Sequence, residues 1–462
     1  MKERIDFARN AEAALRNPFL QSALRTAMVR FRSLRDAVVE EVPEWQVLRE
    51  YAYATKMHVL ANLDRYLTRL EANVAAAGGV VHWVRSGDEA ASTIVDLARR
   101  HKAQTIVKSK SMTTEEIELN RFLHAAGVQV AETDLGEYLI QLAGERPAHF
   151  VVPAVHKSKG SIAALLSEKL GIPRFDDAAQ LTRAVRGELR QRFFAADMGV
   201  SGVNFAIADT GTIVIVENEG NARLTTTLPR VHVALMGIEK VIPRLADLAV
   251  FLTLLPRSAT GQRMTGYVSF ITGPRRAGEV DGPEEFHLII MDNGRSSIHA
   301  DRAMRECLAC IRCGACLNSC PVFERTGGHA YGSVYSGPIG AVLTPLYRGL
   351  DVGRDLPFAS SLCGACEEVC PVKIGLPRLL LELRSRIVRR RGASWMDRLF
   401  VRGWVATMMN PTRLRAAGRV VRILHHLALR QRVPLPYPFS EWSKARDLPP
   451  PAGPPFRDRW RS

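Results

Sequence analysis

Outside residues 300–378 the chain contains no cysteine, and inside that window it contains 8. Disulfide scaffolding of the large N-terminal part is thereby excluded, and any chemistry that needs sulfur is confined to one short stretch. Long apolar runs are also missing. The longest, Leu245 to Pro256, includes Asp247 and falls far short of the ~20 residues that cross a bilayer. The N-terminus, Met1-Lys-Glu-Arg-Ile-Asp-Phe-Ala-Arg9, places charges where a signal peptide needs an apolar core. A cytoplasmic protein is expected. No Walker A run, Rossmann glycine fingerprint, Ser–His–Asp set or histidine metal cluster stands out.

The chain is 462 residues long, with 47% hydrophobic and 24% charged residues, which suits two or three globular domains. Its net charge of +16 is unevenly spread: from Arg378 onward there are 19 Lys/Arg against 5 Asp/Glu. A basic appendage of this kind suits an acidic partner or peripheral contact with an anionic membrane surface. The aromatic–basic interleaving, helix-turn-helix and zinc-finger spacings of nucleic-acid binders are absent, so nucleic acid is not an expected partner.

Apolar spacing predicts an N-terminal helical segment over 1–75, through Val38, Val42, Trp45 and Leu48 and again through Val59, Leu63, Leu67 and Leu70. From 76 to 298 the pattern changes to short β-branched runs between helical stretches. Strands are expected at Val80–Val84, Thr105–Val107, Val128–Val130, Phe150–Val152, Val231–Leu235, Val268–Ile271 and Leu288–Met291, with a hairpin around Asp209–Gly211. Helices are expected at Ala90–Arg100, Glu115–Ala126 and Ser161–Leu170. This alternation argues an α/β domain with a parallel sheet covered by helices. Residues 299–380 hold the cysteines, and 381–462 form a basic helical region ending in a proline-rich tail, with helices expected at Leu379–Arg391, Trp395–Met409 and Leu414–Leu429.

The first cysteine block reads Cys307-Leu-Ala-Cys310-Ile-Arg-Cys313-Gly-Ala-Cys316-Leu-Asn-Ser-Cys320-Pro321. It contains C-x2-C-x2-C-x3-C-P, the run that holds bacterial [4Fe–4S] clusters. The second, Cys363-Gly-Ala-Cys366-Glu-Glu-Val-Cys370-Pro371, repeats its last two-thirds. Two residues between thiolates let a tight loop wrap a cubane while backbone N–H groups point at sulfur, and Gly314, Ala315, Gly364 and Ala365 keep bulk out of that approach. Zinc seldom uses four consecutive closely spaced cysteines ending in proline.

In two-cluster proteins the fourth cysteine of each run crosses to the other cluster. Two [4Fe–4S] clusters are thus expected, the first on Cys310, Cys313, Cys316 and Cys370, the second on Cys320, Cys363 and Cys366. The second then lacks a ligand, because the place of its first cysteine is taken by Ser360. Either Cys307 folds back as the extra ligand, or the iron carries Ser360, water or a substrate group, or an iron is lost to leave [3Fe–4S]. These alternatives stay open on sequence.

The cysteine blocks, with Gly327-Gly-His-Ala-Tyr331 and Gly337-Pro-Ile-Gly-Ala341 between them, resemble lactate utilisation protein B. The α/β region shares the resemblance through Lys108-Ser-Lys-Ser-Met112, Glu132-Thr-Asp-Leu-Gly-Glu137, Asn218-Glu-Gly-Asn-Ala-Arg223 and Ala259-Thr-Gly-Gln262, which look like that family's LUD domain. The resemblance implies a sugar-isomerase/CoA-transferase-like LUD fold followed by an α-helical ferredoxin-type dicluster domain. It also implies an electron-transfer role in oxidising L-lactate to pyruvate, beside a cysteine-rich companion subunit and a smaller LUD-only companion, with the electron acceptor undefined. Rival readings are a CoA-transferase-like enzyme with regulatory clusters, or an electron-transfer subunit serving another 2-hydroxy acid, glycerol phosphate or a heterodisulfide.

Within the LUD region, Lys108, Lys110, Glu132, Asp134, Glu137, Glu217, Asn218, Asn221 and Arg223 are the candidate ligand-binding residues. Several fall at predicted strand ends, where open α/β sheets place ligands. The competing structural expectation is that these acids and bases pair with one another.

Overall fold

Four helices precede the first strand: α1 Phe7–Leu15, α2 Pro18–Glu40, α3 Trp45–Ala61 and α4 Leu63–Ala76. Asn17 caps α2 by accepting from the Leu20 N–H, and Pro18 takes the first helical position, where its missing N–H costs nothing. The computed structural model describes residues 4–391, 395–428 and 456–460. The chain divides into two compact units, residues 1–387 and 388–462.

The α/β region contributes ten strands: β1 Val80–Val84, β2 Thr105–Lys108, β3 Gln129–Glu132, β4 Met198–Gly202, β5 Phe205–Ile207, β6 Thr212–Glu217, β7 Val231–Gly237, β8 Val241–Ile242, β9 Tyr267–Ile271 and β10 Glu285–Met291. Six of them form one sheet in the order β1-β10-β7-β4-β2-β3, with every neighbouring pair parallel. The other four form a mixed sheet, β8-β5-β6-β9, in which β5 and β6 are the predicted hairpin, Phe205 opposite Val214 and Ile207 opposite Thr212.

Helices α5 Gly87–Arg100, α6 Met112–Glu116, α7 Leu119–Ala125, α8 Leu135–Ala143, α9 Lys159–Leu170, α10 Ala178–Phe194, α11 Asn221–Thr227 and α12 Leu245–Thr260 surround these sheets. Alternate residues of β7 and β10 serve opposite faces. Val233, Leu235 and Ile289 pack with Ile94 and Leu97 of α5, whereas Ala234, Met236, Leu288 and Ile290 pack with Leu67, Leu70 and Val74 of α4. Each Leu or Ile so buried contributes roughly 1.5–3 kcal/mol. Helix α4 is thus part of the core of the parallel sheet.

The cysteine region is helical: α13 Arg295–Ala300, α14 Ala315–Asn318, α15 Pro321–Thr326, α16 Gly337–Arg348, α17 Ala365–Glu368 and α18 Leu376–Arg391. The second unit, taken alone, holds α19 Trp395–Met408, α20 Pro411–Ala428 and α21 Phe456–Arg459. Most of the proline-rich tail lies outside the described residues. Among the described residues no helix is long and apolar enough to cross a membrane.

Two expectations are corrected. Phe150–Val152 is not a strand: the Val151 and Val152 N–H groups donate to Nδ1 of His149 (3.0 and 3.3 Å), and the Val151 carbonyl accepts from Lys110 Nζ (2.6 Å). A buried side chain has taken the hydrogen bonds a ladder would need. Glu115–Ala126 is not one helix but two, because Glu118 adopts φ 52° and breaks the run between α6 and α7.

Strand β4 packs against α11 through Gly199, where an added methyl carbon would stand 1.9 Å from the Thr225 carbonyl oxygen. Gly199→Ala is expected to lower stability by about 1–3 kcal/mol. Gly187→Ala, at an open position of α10, is expected to raise it by about 0.5–1 kcal/mol. Thermal melts of the two variants check the contrast.

Candidate metal centre and adjoining cleft

None of the 8 cysteines is in a disulfide, and all but Cys363 and Cys310 are buried. Two loops carry them. In the first, Arg312 takes φ 62° and Gly314 φ 79°, which turns the chain into α14 and aims successive cysteines inward. In the second, Leu362 at φ 55° and Gly364 at φ 88° do the same before α17. Backbone N–H groups already point at sulfur: Arg312 to Cys310 (3.4 Å), Phe323 to Cys320 (3.5 Å) and Ile374 to Cys370 (3.4 Å).

Electrostatic neighbourhood sorts the thiols. Burial raises Cys313 and Cys316; Cys370 and Cys310 raise Cys313 further, and Cys310, Cys313, Cys366 and Cys370 raise Cys316. Burial pushes Cys370 up to about 11, with Cys310 adding to it. Burial pushes Cys366 up to about 12, helped by Cys320 and Cys363. Cys320 is raised by burial and by Cys363. Exposed Cys363 is lowered by hydrogen bonds from the Ser361 side chain and the Ala365 N–H. Cys370 thus stands near Cys310 and Cys313, and Cys320 near Cys363 and Cys366, with Cys316 within reach of both groups. Cys307 is raised by burial, and the groups acting on it most strongly are Arg312, Cys310, Glu239 and Glu306, which places it beside the first set. Buried unpaired thiols from two loops, with N–H donors aimed at sulfur, suit thiolate-ligated iron–sulfur cores.

The N-terminal helices hold both loops. Buried Arg49 of α3 donates to the carbonyls of Cys370 (2.9 Å) and Glu367 (3.3 Å), and Arg32 of α2 donates to the Asn318 carbonyl (3.1 Å) and to Glu324 (2.7 Å). Asn318 Oδ1 in turn accepts from His149 Nε2 (2.9 Å); since His149 Nδ1 accepts a backbone N–H, Nε2 carries the proton. Burial lowers His149 to about 4, so the ring is neutral.

A buried ionic network joins the first loop to the sheet. Glu239, just beyond β7, accepts from Arg295 Nε (2.7 Å) and faces Arg312 (3.4 Å). Arg295 also makes a two-pronged pair with Glu116 (2.8 and 2.9 Å), which accepts from the Tyr335 hydroxyl (2.6 Å). Burial opposes charge on Glu239, but Arg295 and Arg312 hold it down at about 2. The guanidinium groups of Arg295 and Arg312 lie over the rings of Tyr347 (4.8 Å) and Tyr335 (5.0 Å). Lys56 of α3 closes the network on the Glu239 and Val241 carbonyls.

Above the carboxyl ends of β2, β4 and β6 a cavity of about 270 Å³ opens, reaching from Lys110 and Asp134 past Asn204 to Lys240, Arg312 and Cys313. Of the predicted LUD residues, Lys110, Asp134, Glu217, Asn218 and Asn221 line it. Lys108, Glu132 and Glu137 do not. Lys108 is buried in ion pairs with Glu115 and Glu132, both at 2.8 Å, and Glu137 beneath them is pushed up to about 8 by burial and by Glu132. Glu217 is occupied by the Ala222 and Arg223 N–H groups at the start of α11 (2.7 and 2.8 Å), while Arg223 itself lies over Tyr267 (5.5 Å).

The LUD domain family matches residues 67–291, and the 4Fe-4S dicluster domain family matches residues 306–374. Lactate utilization protein B of Bacillus subtilis (strain 168) is 43% identical, the match covering 98% of this chain and 95% of that protein. The chain belongs to the lactate utilization protein B family. Its namesake from Geobacillus thermodenitrificans (strain NG80-2) is 44% identical over 99% of this chain and 96% of that one. The uncharacterized electron transport protein YkgF of Escherichia coli (strain K12) is 43% identical over 98% and 95%.

For this lactate utilization protein B family member, motif reading found the cysteines but missed Lys56, Glu116, His149, Glu239, Lys240, Arg295 and Arg312. The one local signal was Gly237-Ile-Glu-Lys240, charged residues directly after an apolar run, which marks the carboxyl end of a buried strand. Arg295→Met would leave Glu116 and Glu239 buried without their cation. A loss of about 3–5 kcal/mol is expected, visible as a lowered thermal midpoint together with reduced iron retention.

Proposed function

We propose that this chain is the iron–sulfur electron-transfer subunit of a multi-subunit system oxidising L-lactate to pyruvate, holding two [4Fe–4S] clusters. What supports the reading is that Cys370 of the second loop lies near Cys310 and Cys313 of the first, while Cys320 of the first lies near Cys363 and Cys366 of the second. That exchange is the ligand pattern of two-cluster ferredoxin motifs. The lactate utilization proteins named above support the substrate, and a match along nearly the whole chain favours this over a CoA-transferase-like activity.

Converting a 2-hydroxy acid to a 2-oxo acid releases two electrons and two protons. When bound, two one-electron centres supply storage for that pair and pass it on singly. The chain's own residues bury most of the thiols and place the positive charge of Lys56, Lys240 and Arg312 near Cys310. We assign the cysteine-rich and LUD-only companions as its partners in the system.

Anaerobically reconstituted protein is expected to hold about eight irons per chain. Low-temperature EPR is expected to show reduced clusters after L-lactate is added together with the two companion proteins. Clusters that dithionite reduces but lactate with companions leaves oxidised would sink the reading.

A further inference from the structure

Four cations crowd the wall between the sheet and the first cysteine set: Lys56, Lys240, Arg295 and Arg312. Only two carboxylates, Glu116 and Glu239, answer them. Arg295 takes both carboxylates and Lys56 takes backbone carbonyls. That leaves Lys240 and Arg312, which share Glu239 with Arg295, with spare hydrogen-bonding capacity on the cavity side. Lys240 is 9% exposed and, among the described residues, its ammonium has no hydrogen-bond partner. Arg312 has a side chain 6% exposed and a buried Nη1 without a partner. Both line the 270 Å³ cavity that ends at Cys313. Its far end is acidic on balance, with Asp134, Glu217 and Glu219 around the single cation Lys110.

Charge of opposite sign at the two ends orients any anion that enters. We infer, building on the electron-transfer reading, that this cleft binds a small monocarboxylate of the 2-hydroxy acid or 2-oxo acid class, its carboxylate on Lys240 and Arg312 beside Cys313. The apolar stretch of Phe150, Val151 and Leu255 between the ends suits a short alkyl chain. The chain would then hold the substrate or product itself rather than only receive electrons from a companion.

The test uses the full, iron-loaded chain without companions. L-lactate and pyruvate are titrated by calorimetry, with the EPR of the reduced clusters as second readout. Saturable binding and a shifted signal are expected. Lys240→Gln is expected to weaken binding about tenfold or more, as loss of a charge-assisted hydrogen bond predicts. Absence of binding to the wild type, or equal binding by Lys240→Gln, overturns the inference; a variant that changes only the cluster signal shows Lys240 to be a counter-charge for the cluster. If companions and lactate still reduce the clusters in that case, the electron-transfer reading survives without this site.

A separate observation concerns the three-cysteine set. The two loops are copies in backbone conformation: Arg312 and Leu362 share positive φ (62° and 55°), as do Gly314 and Gly364 (79° and 88°), and α14 matches α17. At the first position of the copy the Arg312 N–H donates to Cys310 Sγ at 3.4 Å, and the Leu362 N–H donates to Ser360 Oγ at 3.1 Å. Oxygen thus occupies the place of sulfur, with the shorter contact its smaller radius requires. Arg384 pins this stretch through the carbonyls of Pro357 (2.8 Å) and Ser360 (3.0 Å).

We propose that Ser360 Oγ, half-exposed and releasing its hydroxyl proton to solvent as it binds iron, is the oxygen ligand that completes the set of Cys320, Cys363 and Cys366. Cys307, beside Cys310, remains a thiol. Mössbauer spectra of iron-57 protein are expected to show one iron distinct from its thiolate-bound neighbours. Ser360→Cys is expected to abolish that distinction with eight irons retained. Ser360→Ala is expected to lose about one iron on mild oxidation and give the EPR signal of a three-iron cluster, whereas Cys307→Ser leaves both spectra unchanged. Unchanged spectra in Ser360→Ala, or iron loss in Cys307→Ser, overturn the assignment. Protein without iron would instead sink the cluster reading as a whole.

Discussion

The ion pair between Glu239 and Arg295 is the contact on which the rest of the centre depends. It sits where the central strand of the parallel sheet ends, and it has no access to water: the two side chains are 1% and 0% exposed. Charges so placed are tolerable only when each is matched and hydrogen-bonded. The match extends outward through Glu116 and Tyr335 to the helical cysteine region, and through Arg312 to the first cysteine loop itself. Gly237 shows how tight the fit is, since any side chain there would collide with Glu239 and Arg295, at 2.1 and 2.3 Å. Sheet and cysteine loop are therefore one electrostatic unit, and neither can shift without exposing a buried charge.

This coupling gives the fold a functional direction. The carboxyl ends of β2, β4 and β7, the usual place for ligands in an open α/β sheet, border a cleft that reaches Cys313. A LUD domain and a dicluster domain drawn separately would look like a binding module tethered to an electron carrier. Their shared wall makes the distance from cleft to Cys313 a matter of contact. The N-terminal helices complete the arrangement from the other side. Lys56, Arg49 and Arg32 reach from two helices to the strand end, the second loop and the first loop in turn.

Legibility from sequence followed the range of the interactions. Strands β7 and β10 were readable because a strand buried on both faces needs an unbroken apolar run, and the β5–β6 hairpin because Asp209–Gly211 carries its own turn chemistry. Phe150–Val152 had the same β-branched appearance and failed, since His149 captured its N–H groups. The split between α6 and α7 depended on one residue in left-handed conformation. Among the candidate LUD residues, charge alone did not separate Lys108, locked between Glu115 and Glu132, from Lys110 at the cleft.

What the sequence by itself determined is the chemistry of the cysteine loops, because ligand spacing over a few residues is a local geometric constraint written in the chain order. It also determined the class of the α/β region, because hydrophobic periodicity is local too. Which cations gather beside the first loop, which of their N–H groups lack a partner and what the cleft adjoins were decided only by tertiary structure. Those properties arise where residues 49, 116, 239, 295, 312 and 370 meet, and electrostatic balance in a buried space belongs to the assembled neighbourhood rather than to any segment of the chain.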